Sequence, residues 1–164
     1  MTTIRLNLGQ HGELPEDLRE WFEEPTLVRL CLESLQSVEA EPAQPPPGSE
    51  LPCGRPRALL TILLYSYATG RQSSKQIEER SSLDPQLRYL CGNALPSANE
   101  LRRVRRHDRP YLQCGLSRLF SFAWQQHRAS LFLDFANPPP EIFDAAAEQR
   151  VNQAVLLDTA ALDN

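Results

Sequence analysis

Apolar residues recur along most of this chain at the three- and four-residue spacing of helices. Leu27, Leu30, Cys31, Leu35 and Val38 share one stripe, on a helix that Pro25 is placed to start. Residues 57–68, RALLTILLYSYA, are apolar on nearly every face, which predicts the buried centre of a bundle, with Gly70 as its terminator. Leu112, Leu116, Leu119, Phe120 and Ala123 form a further stripe, on a helix begun by Pro110. Phe143, Ala147, Val151, Ala154 and Val155 make the last one, on an acidic amphipathic helix from Glu141 to Leu162. Pro15 predicts a short helix through Phe22 with acids in its first turn. Residues 1–13 read as an extended arm, and residues 129–135 as either a strand or a helix end. No β-hairpin signal and no internal repeat stands out.

Between the two central stripes the pattern shortens and turn residues punctuate it. Ser73 with Gln76 reads as a capping box for a helix through Arg80. Asp84-Pro85 is an N-cap followed by Pro at the first helical position, and Gly92-Asn93 ends that helix. Pro96 and Ser97 begin again, with Glu100 completing a second capping box. Three short helices broken in this way predict a helix-turn-helix-like unit within an all-α bundle. The Pro-rich stretch 42–54 lacks the backbone donors that helices and ladders need, so it reads as an extended linker. It separates an acidic arm and helix (1–41) from a basic domain (55–130), which an acidic C-terminal segment (131–164) follows.

Charge sharpens that division. The formal net charge is −4, yet residues 55–130 hold 13 basic against 5 acidic side chains, while residues 1–54 hold 3 against 10. A basic middle between acidic arms fits either a polyanionic partner or internal neutralisation by the arms. Of the basic residues only Lys75 is Lys, a bias that suits phosphate recognition and that a GC-rich genome also produces. Cys31, Cys53, Cys91 and Cys114 lack zinc-knuckle spacing, and the three His are scattered, so neither a metal nor a cofactor is expected. No signal-peptide-like start is present, and the apolar run at 58–68 is too short to span a bilayer. The expectation is a cytoplasmic protein without a membrane partner.

The densest charge lies on one predicted helix. Leu101 and Val104 supply a thin apolar seam, and Arg102, Arg103, Arg105, Arg106 and Arg109 cover the remaining directions. A recognition helix needs this arrangement, with long cations reaching phosphates and groove edges. Arg71 and Lys75 would add phosphate contacts. The same pattern also suits a solvated helix whose arginines pair with the acidic arms.

The order of these features resembles the N-terminal domain that precedes the DDE nuclease core in many bacterial insertion-sequence transposases. The likeness rests on the leucine-rich helix with Leu59, Leu60, Leu63, Leu64 and Tyr65 or Tyr67, then Gly70, Ser73, Ser74 and Glu78. It continues through Leu90-Cys91-Gly92, Pro96, and Leu101 with Arg103, Val104, Arg105 and Arg106. Leu14-Pro15-Glu16-Asp17 resembles the family's opening motif more faintly. The chain departs from it in two places: Asn99-Glu100 stands where the family has Ser-Thr, and Val104 where it has Phe. The resemblance implies a helical, DNA-binding ancestry.

A DDE core needs three metal-holding carboxylates on a sheet of well over a hundred residues, and only 44 residues follow Phe120. Asp134 is the single acid in a strand-like context, and Phe135 replaces the glycine that would follow it. The expectation is therefore a stand-alone, non-catalytic module that binds duplex DNA at transposon ends or regulates a transposase. The competing expectation is an oligomerising module, or a remnant, whose basic face the acidic arms cover. The C-terminal helix either pairs with its copy in a homodimer or closes the bundle itself.

Overall fold

The most apolar stretch of the sequence is also the least exposed. In a computed structural model, which describes residues 6–7, 13–40, 54–92, 94–130 and 138–163, ten consecutive residues from Leu59 to Ala68 are buried. They lie on α2 (Arg55–Ala68), which packs against α1 (Glu24–Ala40), α4 (Pro85–Cys91), α5 (Ala98–His107) and α6 (Arg109–Ser130). The remaining helices are α3 (Ser74–Ser81), beside α4 and α5, and α7 (Pro140–Asp163), which lies along α6. The protein is an all-α bundle, and one apolar cluster draws on Leu14, Leu18 and every helix. Among the described residues no helix is long and apolar enough to cross a membrane.

Long α6 is flanked by α1 and α7, and its buried face carries the expected Leu112, Leu116, Leu119, Phe120 and Ala123. Gly115 lets α2 come close: a Cβ there would sit 3.1 Å from Leu64 Cδ2. The α1 stripe is buried as expected, except that Val38 is half-buried, and Ser34 within it donates its hydroxyl to the Leu30 carbonyl at 2.6 Å. That bond lets a polar residue sit in the core without an orphaned hydroxyl. An Arg57–Glu39 ion pair at 2.8 Å ties the start of α2 to the end of α1. The Pro-rich linker between them lies outside the described residues, apart from Gly54, as do residues 131–137 with Asp134.

The N-terminal segment departs from its expectation. Instead of a helix from Pro15, β1 (Leu6–Asn7) and β2 (Glu13–Leu14) pair antiparallel, and a 3-10 turn covers only Leu18–Glu20. Asp17 caps that turn, accepting from Arg19 N at 2.9 Å, so the helical start falls past Pro15. The Pro15 and Glu16 carbonyls are spent instead on Arg150 of α7, and Asp17 bridges to Thr69 at the end of α2. Trp21 then stacks flat on His127 of α6, with ring centroids 3.9 Å apart and planes 2° apart.

Burial holds the His127 imidazole below its ordinary value of 6.5. Its folded pKa is depressed, so its neutral form favours the fold above pH 6.5, and that contribution is lost as pH falls through the lowered value. Thermal stability is therefore expected to drop between pH 7.5 and pH 5 by more in the wild-type chain than in His127→Phe, which keeps the stack. Parallel pH profiles of the two melting temperatures would contradict this.

α2 ends as its glycine predicts. Gly70 has φ +81°, Arg71 N donates to Ser66 O at 2.8 Å, and Gly70 N donates to Tyr67 O at 3.4 Å. This pair of bonds satisfies two carbonyls that the helix leaves open. An alanine Cβ would meet Glu16 Cγ at 3.3 Å and would be strained at that φ. Gly70→Ala is expected to cost about 1–2 kcal/mol in denaturant unfolding. An unchanged midpoint would show that the corner is not under this constraint.

Candidate nucleic-acid interface

α5 is fixed at both ends before its arginines come into play. Ser97 caps it, accepting from Glu100 N at 3.1 Å, and Glu78 of α3 accepts from Ala98 N. Glu100 itself is held by Arg55, with Arg55 Nε donating at 2.7 Å, and that side-chain hydrogen bond keeps its carboxyl below the ordinary value. Two carboxylates thus occupy the N-terminus of α5, where a helix would otherwise favour an incoming phosphate. Any phosphate contact must come from the body of the helix. Leu101 and Val104 bury the inner seam, and Asp108 alone separates α5 from α6.

The arginines divide into three groups. Arg105 lies at i+4 from Leu101 and is buried, with its guanidinium donating to Asp158 of α7. Burial alone would depress the Arg105 guanidinium; Tyr67 and Asp158 more than offset this and hold it above its ordinary value. Arg102, Arg106 and Arg109, at i, i+4 and i+7, face the cleft between α5 and α7. Arg102 donates to Asn99 at 2.8 Å, and Arg109 donates to Asn152 of α7. Asn99, Arg103 and His107 are exposed on the outer side, and Arg106, which lines the cleft, is exposed as well. The expectation that all five arginines project outward fails at Arg105, because one α5 flank is covered by α7.

The two supporting cations part in the same way. Arg71 is spent on Asp84, the cap of α4, at 3.0 Å, with both side chains largely buried. Lys75 is exposed on the first turn of α3. At that same turn the expected capping box is not formed, since Ser73 makes no side-chain cap bond. Asp158 reaches across from α7 and accepts from Ser74 N at 2.9 Å and from Ser74 Oγ at 2.6 Å. A carboxylate at a helix N-terminus satisfies an open amide and meets the positive end of the helix dipole.

Asp158 is therefore the residue that organises this surface, and the sequence reading did not single it out. It joins α3, α5 and α7 through one buried carboxylate. Its signal was present: Asp158 follows Ala147, Val151 and Ala154 on the apolar stripe of α7. A charged residue on a buried stripe requires a partner. Arg150 sits on the same stripe and carries the same signal.

A family model described as Transposase domain (DUF772) matches residues 47–107. The matched stretch begins in the linker and takes in α2 to α5 in full, so α5 and its arginines close it. Over this stretch the chain is similar to that transposase domain. No curated protein and no solved structure matches the chain.

Proposed function

We propose that the chain is a cytoplasmic, non-catalytic DNA-binding module of transposase type. α3 to α5 serve as its helix-turn-helix-like unit, and α5 is presented to duplex DNA. Arg103 and Arg106 are the principal phosphate and groove contacts, Lys75 adds a phosphate contact, and Arg102 and Arg109 act from the cleft side. Arg105 holds the helix in place rather than touching DNA. Such a module would occupy transposon ends or regulate a transposase.

One observation carries this reading. Among the described residues no ion pair engages Arg103 or Arg106, although both lie on a helix clamped from beneath. Rigid cations left open on one face suit a polyanion. The competing reading needs the acidic helices to cover those arginines. Among the described residues of the acidic arms, Asp158 is the acid that pairs with α5, and it reaches Arg105 and, at 3.9 Å, Arg102. The exposed Leu156 and Leu157 of α7 leave room for a homodimer in addition to DNA binding.

The test is fluorescence anisotropy of a labelled random-sequence duplex at low salt. Changing Arg103 and Arg106 together to Ala is expected to weaken binding on the order of tenfold or more, as loss of two charge-assisted contacts implies. Full affinity in the variant would remove α5 from the interface.

A further inference from the structure

The cleft between α5 and α7 encloses about 280 Å³ and is lined by Arg102, Arg105, Arg106, Arg109, Asp158 and Thr159, with Val155 at its side. Four guanidiniums face one carboxylate, and that carboxylate already accepts from Arg105 and Ser74. The lining is thus strongly cationic and holds one hydroxyl, Thr159, which donates to the Val155 carbonyl at 2.8 Å. Arg102 Nε is buried without a hydrogen-bond partner and stands 3.9 Å from Asp158 Oδ2, too far for a bond. A buried charged donor left unmade is costly, and a ligand oxygen in the cleft would relieve it.

We propose that this cleft is a site for a terminal phosphate, a dianionic phosphate monoester. The inference adds a second contact to the DNA-binding reading, and it stands on the cleft rather than on the outer face of α5. The concave shape is what separates the two. A phosphodiester within a duplex is flanked by sugars and offers two free oxygens to a convex surface. A monoester protrudes, carries close to two negative charges at neutral pH, and offers three acceptor oxygens. Three acceptors match Arg102, Arg106 and Arg109, whose planar forks bind phosphate oxygens in pairs. Arg105 stays locked to Asp158 and supplies field rather than contact. The same chemistry is found on inorganic phosphate, on a nucleotide, and on the 5′ end of a DNA strand.

The experiment uses the full chain and three probes: inorganic phosphate, a 5′-phosphorylated duplex, and the same duplex with 5′-hydroxyl ends. Phosphate is expected to raise the melting temperature, and to do so more at pH 7.5 than at pH 5.5, since its second ionisation lies near pH 6. The phosphorylated duplex is expected to bind roughly tenfold tighter than the hydroxyl duplex, and phosphate should compete away that increment alone. Arg102→Ala with Arg109→Ala should abolish both effects, whereas Arg29→Ala with Arg88→Ala, which removes the same charge from α1 and α4, should not. Circular dichroism establishes that the variants fold. Phosphate binding with equal affinity for the two duplexes would assign the site to a free or nucleotide phosphate. Phosphate binding without any duplex binding would sustain the cleft and overturn the DNA-binding reading. Duplex binding that is indifferent to the 5′ phosphate, with no response to inorganic phosphate, would overturn the cleft and leave the DNA-binding reading intact.

Discussion

Asp158→Ala is expected to destabilise the protein by about 4 kcal/mol, a fall of roughly 8–16 °C in melting temperature for a chain of this size. The reason is the number of groups that depend on one carboxylate. Arg105 loses the acceptor for its buried guanidinium, and α3 loses the acceptor for the Ser74 amide and hydroxyl. An unpaired buried charge contributes most of the loss, and an uncapped helix contributes about 1 kcal/mol more. Asp158→Asn keeps an oxygen for Ser74 and should fall between the two. Changing the pair together, Arg105→Met with Asp158→Leu, should recover much of the stability, because neither partner is then stranded. Urea unfolding of the four proteins measures this directly. A loss below about 1 kcal/mol for Asp158→Ala would show that the pair is not buried as described.

Arg150→Met is expected to cost a further large amount, about 3 kcal/mol, for a different reason: buried carbonyls lose their donors at about 1–3 kcal/mol each. Among the described residues the Arg150 guanidinium is held by three backbone carbonyls, of Pro15, Glu16 and Tyr67. Burial depresses its pKa to about 10, with Glu16 and Asp17 partly offsetting this, so it remains charged at neutral pH. Tyr67 lies in the last turn of α2, where a cation also meets the negative end of the helix dipole. Met would fill the space over the Phe120 ring but take the guanidinium donors away from the Pro15, Glu16 and Tyr67 carbonyls, of which Tyr67 keeps only the long bond from Gly70 N. Arg150→Lys retains charge without the planar fork and should rescue only part of the loss. If Arg150→Met melted like the wild type, the N-terminal segment would not be held by α7.

Where one physical signal dominated, the sequence was easy to read. The nearly all-apolar run of α2, the Asp84-Pro85 start of α4, the Gly70 terminator and the Leu101–Val104 seam all follow from local chemistry, and all appear as expected. Where a distant partner decided the outcome, local reading fell short. Ser73 looked like a cap, but Asp158, far along the chain, takes that role. Pro15 looked like a helix start, but its carbonyl serves Arg150. Arg105 looked like its neighbours until α7 covered it. Helix periodicity places a residue on a face; it does not say which helix will pack there. The two charges on the apolar stripe of α7 were the clue that this helix would dock through polar bonds as well as through Phe143, Ala147 and Val151.

In the proposed function the outer arginines of α5 meet a nucleic-acid backbone. The most direct test is the slope of log K against log salt for duplex binding, measured for the wild-type chain and for Arg103→Ala with Arg106→Ala. Each phosphate neutralised contributes about 0.9 to that slope, so the variant should be shallower by roughly 2. A variant with the wild-type slope, or a wild-type chain that fails to bind duplex at low salt, would contradict the account.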